Sequence, residues 1–109
     1  MLAIVFGKKI TGNMLLELEN IFTWDYEEKS NQGWLLKSTA KYFIYGFCGD
    51  KITLIYYNLP KIREWWLNDG HNRGFRTIDY ESGRNFTSRC VLVPLMELEK
   101  FEEFPREEI

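Results

Sequence analysis

Two runs of almost unbroken apolar and aromatic residues, Tyr42-Phe43-Ile44-Tyr45-Gly46-Phe47 and Ile52-Thr53-Leu54-Ile55-Tyr56-Tyr57, flank Gly49-Asp50-Lys51. Aromatic and β-branched side chains suit extended chain, and Gly-Asp suits a tight reversal, so the segment predicts a β-hairpin of two central strands. A hairpin this apolar cannot stand in water alone. The rest of the chain has to supply the strands and helices that cover it.

The flanking elements follow from the same local rules. Leu2-Ala3-Ile4-Val5-Phe6, ending in Gly7-Lys8-Lys9, reads as a short buried strand running into a basic turn. Asn13 to Glu19 alternates apolar and polar residues, placing Met14, Leu16 and Leu18 on one face and Leu15, Glu17 and Glu19 on the other. Ile21 to Tyr26 continues that strand or pairs with it. Glu27 to Gly33 reads as a polar loop. Leu35 to Lys41 suggests a helical turn, with Ser38 or Thr39 as a cap. Asn58 as N-cap, Pro60 in the first turn and Gly70 at the end bracket a helix over about 59–69, with Leu59, Ile62 and Trp66 on one face.

Beyond that helix, Arg76 to Tyr80 and Cys90 to Leu95 read as edge or terminal strands around a polar loop from Glu81 to Arg89. Pro94 fits a strand end because it cannot donate to a ladder. Met96 to Phe104 reads as a short C-terminal helix. The expected architecture is a single α/β or α+β domain of residues 1–109, with a central mixed sheet of about five strands.

Composition supports one domain with a real core: the 109 residues are 45% hydrophobic and 17% aromatic. The net charge of −2 conceals an uneven distribution. Lys37 to Arg89 holds nine Lys/Arg against five Asp/Glu, whereas Glu97 to Glu108 holds six acids against two bases. The middle can face an anion and the tail cannot. Cys48 and Cys90 sit in apolar runs without metal-ligand spacing, so they read as buried free thiols rather than zinc ligands. With no signal-peptide pattern and no apolar run long enough to span a bilayer, the expected location is the cytoplasm.

Common catalytic signatures fail. His71 lies in a polar Asn68–Gly74 stretch with no nucleophile at a recognised spacing, and Gly7-x4-Gly12 lacks the Lys-Ser/Thr of a phosphate loop. Glu17 and Glu19 read first as the solvent side of an amphipathic strand, and Lys37, Lys41 and Lys51 as solvated turn residues. Trp65 and Trp66, adjacent on one helix, cannot both face one core, which points one of them toward a groove or partner.

One ordered set of motifs carries more. Thr11-Gly12-Asn13 precedes a strand bearing Glu17; Gly33-Trp34 follows; then Lys37-Ser38-Thr39-Ala40 runs into Tyr42-Phe43-Ile44-Tyr45, a second strand, a Trp-bearing helix and Val93-Pro94-Leu95. In their order these motifs resemble the second half of small PD-(D/E)XK nucleases of phage and mobile-element type, over most of the chain. The resemblance implies catalytic roles for Glu17 and Lys37 and, in an active enzyme, Mg²⁺ held by clustered acids. Met1 to Lys9, at the place of the family's first acids, contains no Asp or Glu. The resemblance therefore implies a scaffold without the full chemistry and no metal, Mg²⁺ entering only if activity survives within a complex.

Three functions are consistent with this reading. The first is a catalytically degenerate protein that associates with nucleic acid through Lys8, Lys9, Asn13, Lys37, Ser38, Lys41, Arg73, Arg76, Arg84 and Arg89. The second is a small mobile-element protein that inhibits a host defence nuclease, as anti-CRISPR proteins do, through Trp34, Trp65 and Trp66. The third is a self-associating structural subunit, such as a homodimer, covering the sheet edge left by a shortened core.

Overall fold

The computed structural model describes residues 2–7, 12–24, 27–48, 50–81, 83 and 85–109, with backbone alone for residues 2–7 and 48. In chain order these form β1 (Leu2–Gly7), β2 (Asn13–Trp24), β3 (Glu27–Gln32), α1 (Trp34–Lys37), β4 (Tyr42–Cys48), β5 (Ile52–Asn58), α2 (Leu59–Asn68), β6 (Thr77–Glu81), β7 (Phe86–Pro94), α3 (Leu95–Leu98) and β8 (Glu107–Glu108). Single 3₁₀ turns at Gly70–Asn72 and Glu99–Phe101 follow α2 and α3. The class is α+β. The strands build two four-stranded sheets, β1-β4-β5-β8 and β3-β2-β7-β6, in place of the expected single sheet of about five.

The predicted hairpin forms the centre of the first sheet. β4 and β5 pair antiparallel from Tyr42↔Asn58 to Cys48↔Ile52, and β1 adds parallel to β4. Phe43, Tyr45 and Phe47 of β4 join Ile55 and Tyr57 of β5 in the core, alternate residues as extended chain requires. Met14 and Leu16 of β2 and Val91 and Val93 of β7 enter the same cluster from the second sheet. Burying each such side chain stabilises the fold by roughly 1.5–3 kcal/mol.

α2 begins as its sequence dictates. The Asn58 side chain accepts the Lys61 N–H at 3.0 Å, and Pro60 occupies a first-turn position where a missing donor costs nothing. It ends at Asn68 with Asp69 as C-cap, immediately before Gly70, as expected. Gly70 is needed there for space: a Cβ would lie 3.0 Å from the rings of both Trp65 and Trp66. That close approach lets the following chain fold back over the helix. Trp65 thereby meets Phe75 and Phe101 at 6.0 Å each, while Trp66 meets His71, whose Nδ1 lies 2.8 Å from the Trp66 carbonyl. Both indoles are buried, contrary to the expectation that one is free to face outward. The core wraps around the helix, so adjacent positions both find apolar cover.

The second sheet holds further corrections. β2 runs on to Trp24, and Glu27–Gln32, expected as a loop, forms β3 through antiparallel pairing from Glu19↔Gln32 to Trp24↔Glu27. β7 starts at Phe86, well before Cys90, and lies between β2 and β6 rather than at an edge. Pro94 does end it, as expected. The C-terminal helix is one turn, after which the chain returns along β5: Glu103 N–H donates to the Tyr56 carbonyl at 3.0 Å, and Ile52 and Ile109 exchange backbone hydrogen bonds. Among the described residues no helix is long and apolar enough to cross a membrane.

Candidate binding groove on β2, β3 and α1

The geometry of the site follows from one irregularity. The β2–β7 register shifts between Glu17, which faces Cys90, and Glu19, which faces Arg89. Cys90 and Arg89 are consecutive on β7 and so point to opposite faces, and the bulge carries Glu17 and Glu19 to opposite faces with them. Strict alternation, which puts both on one side, is overturned here.

Glu19 joins an ion network. Arg89 Nη1 donates to Glu19 at 2.7 Å, Arg89 Nε donates to Asp79 at 3.0 Å, and Ser30 Oγ donates to Glu19 at 2.6 Å. The Arg89 hydrogen bond holds the Asp79 carboxyl below its ordinary range.

Glu17 turns the other way, toward α1. Its Oε1 accepts the Trp34 N–H at 3.3 Å, supplying one acceptor at a helix start where Gly33 offers no side-chain cap. Gly33 is buried directly against it: a Cβ at Gly33 would fall 2.6 Å from the Glu17 carbonyl oxygen. The Gly33 N–H also donates to the Leu18 carbonyl at 2.8 Å. Glycine is therefore required for α1 to sit against the bulge.

The other end of α1 is held by a residue that sequence reasoning passed over. Arg63 of α2 donates from Nε to the Leu35 carbonyl at 2.8 Å and from Nη2 to the Ser38 carbonyl. Ser38 caps α1, as expected, at its C-terminal end, and its Oγ accepts the Ala40 N–H at 3.2 Å. Nothing in the spacing of Arg63 signals this, because its targets are main-chain carbonyls on another element.

Between these supports lies a groove of about 520 Å³ lined by Glu17, Asn20, Phe22, Asn31, Gln32, Trp34, Lys37, Ser38 and Thr39. Glu17, Trp34, Lys37 and Ser38 are predicted site residues that the fold brings together. Asn20, Phe22, Asn31, Gln32 and Thr39 were not singled out. Asn31 and Gln32 were hidden because β3 carries no apolar alternation. Chemically the groove offers one carboxylate, one ammonium, three carboxamides, two hydroxyls and two aromatic rings.

The remaining predicted residues do not converge on it. Lys8, Lys9 and Arg84 lie outside the described residues. Arg73 is committed to Asp69 at 3.2 Å and Glu97 at 2.9 Å, and Arg89 to the network above, so neither cation is free for a phosphate. The Lys41 ammonium lies 5.3 Å from the Tyr42 ring centre, Arg76 is exposed beside β6, and Asn13 opens β2 opposite Pro94. Trp34 packs at 4.6 Å on Phe43, with only part of its ring left to the groove.

Among the described residues no group of three or more His, Cys, Asp or Glu side chains converges on a point. Among the described residues Glu17 is the only carboxylate lining the groove and shares it with the Lys37 ammonium, a donor set that does not fit Mg²⁺, which prefers carboxylate and phosphate oxygens. Cys90 is a buried free thiol, as expected, and burial with help from the Glu17 and Asp79 charges pushes it up to about 11. The Cys48 side chain lies outside the described set. A second cavity, of about 480 Å³ between Tyr42, Tyr56, Phe104, Pro105, Arg106 and Glu107, carries none of the predicted site residues. In comparisons with known proteins, no family model, no curated protein and no solved structure matches the chain.

Proposed function

We propose that the chain is a catalytically degenerate PD-(D/E)XK-like protein that associates with nucleic acid through the groove on β2, β3 and α1. The carrying observation is the meeting of Glu17, Lys37 and Ser38, which that resemblance marks, with Asn20, Asn31, Gln32 and two aromatic rings in one concavity. Carboxamides pair with base edges, rings stack on base faces, and an ammonium contacts phosphate. Lys37 makes no ion pair among the described residues, unlike Arg73 and Arg89.

With one carboxylate among the described lining residues, association rather than hydrolysis is the function assigned. A mobility assay on duplex and single-stranded DNA at two salt concentrations tests it. Binding at low salt, weakened in Lys37→Ala and without cleavage when Mg²⁺ is added, is expected; no binding to either form at low salt refutes the reading. Cleavage that is lost in Glu17→Ala refutes the degenerate part.

A second reading, a protein-binding inhibitor of a defence nuclease, is supported by Trp24, which is 73% exposed at the end of β2. Its test is co-purification from the native host. A defined nuclease recovered with the wild type and lost with Trp24→Ala supports it, and recovery unchanged by that substitution refutes it.

A further inference from the structure

The register of the second sheet extends the groove onto a strip of exposed side chains. Partners across a ladder share a face, so Asn20 lies beside Asn31 and Ser88, Phe22 beside Lys29 and Phe86, and Trp24 beside Glu27, all on the face to which the bulge turns Glu17. Ser88 Oγ donates to Asn20 Oδ1 at 3.4 Å, and the Phe22 and Phe86 rings meet edge-on at 4.7 Å, both confirming the shared side. Phe22 and Trp24 are 43% and 73% exposed, high for large apolar residues on a paired strand.

From this strip we infer that the preferred ligand is a single strand of nucleic acid, its bases stacked on Phe22 and Trp24 and its edges and backbone met by the Asn20/Asn31 amides, Lys29 and Lys37. The inference rests on the function proposed above and narrows it.

Three physical points carry it. Alternate residues of a strand advance about 6.6–6.8 Å, twice the ~3.4 Å rise of stacked bases, so rings at Phe22 and Trp24 receive bases already parted from one another. A duplex keeps its base faces stacked on each other and offers rings nothing to stack on; a single strand offers faces and edges together. The face also has little net charge, since Lys29 and Lys37 are offset by Glu17 and Glu27. Attraction to phosphate alone is weak there, and stacking has to supply most of the affinity.

The test is fluorescence anisotropy of a labelled oligothymidylate and of a hairpin duplex of matching length, each over a salt series, with wild type, Trp24→Ala, Phe22→Ala and Lys37→Ala. The expected result is at least tenfold tighter binding of the single strand, a loss of about tenfold in Trp24→Ala, and a shallow salt slope near −1.4 for two phosphate contacts. Trp24 is exposed enough for its removal to leave the fold intact, which an unchanged melting temperature verifies; Phe22→Ala, which also frees Phe86, is the second variant.

Equal or tighter binding of the duplex, or single-strand affinity unchanged in both Trp24→Ala and Phe22→Ala, overturns the inference. Duplex binding that equals or exceeds single-strand binding and is weakened by Lys37→Ala overturns it while leaving the proposed function standing. Absence of binding to both probes at low salt overturns both.

Discussion

The hairpin of β4 and β5 and the outer half of β2–β3 are both antiparallel pairs, yet opposite things hold them in place. In the first, Phe43, Tyr45, Phe47, Ile55 and Tyr57 enter a closed core with the second sheet and α2. In the second, every residue of β3 is exposed, and the pair is held by its ladder, the Arg89 ion network and the Phe22–Phe86 contact. A strand pair needs an apolar face only if burial is what stabilises it. Where the ladder is continuous with a packed sheet, the outward residues are free to serve binding, and those of β2 and β3 combine amides, rings and lysines.

Substitutions separate the two regimes. Leu16→Ala, at a fully buried position where β2 enters the core, is expected to lower stability by about 2–5 kcal/mol in denaturant unfolding; a loss no larger than that of an exposed residue breaks the distinction. Gly33→Ala comes next. Its Cβ meets the Glu17 backbone, so a loss of about 1–3 kcal/mol should accompany a displaced α1 and weakened ligand binding together. Unaltered binding would mean that the bulge does not position the groove.

Alkaline titration probes the interface between the regions. The folded Cys90 thiol titrates at about 11, above its ordinary 9.0. Below pH 9 both states hold the proton and stability is whole; between about 9 and 11 only the unfolded chain releases it, so stability falls as pH rises through that window. A Cys90→Ala variant should show a flatter decline there, and an identical curve contradicts burial of the thiol. The smallest effect belongs to Arg89→Ala, whose solvent-screened ion pairs with Glu19 and Asp79 limit the expected fall in melting temperature to less than that of Leu16→Ala or Gly33→Ala. A larger loss would show that the ion network, rather than the ladder, holds the outer half of the sheet.

The same contrast explains what sequence could reveal. The hairpin, the Asn58 cap with Pro60 and the strand end at Pro94 are written in local chemistry and read directly. The strand Glu27–Gln32 is not, because a segment outside the core carries no apolar period. The bulge between Glu17 and Glu19 leaves no mark either, since regular alternation accounts for Asn13 to Glu19 equally well and only the partner's register decides where each carboxylate goes. Burial of both Trp65 and Trp66 depends on chain that returns from Gly70–Phe75 and Glu99–Phe101, a tertiary fact that helical periodicity does not contain. Of the predicted site, Glu17, Trp34, Lys37 and Ser38 converge, while Arg73 and Arg89 are engaged elsewhere, each by one acid near in sequence, Asp69 and Asp79, and one distant, Glu97 and Glu19.

The most direct test of the groove is a titration of the backbone amide resonances with oligothymidylate at low salt. Shifts concentrated at Asn20, Phe22, Trp24, Asn31, Gln32, Trp34 and Lys37 are predicted. Shifts confined to the Tyr42, Tyr56 and Phe104 cavity of the other sheet, or none at saturating oligonucleotide, would contradict the account.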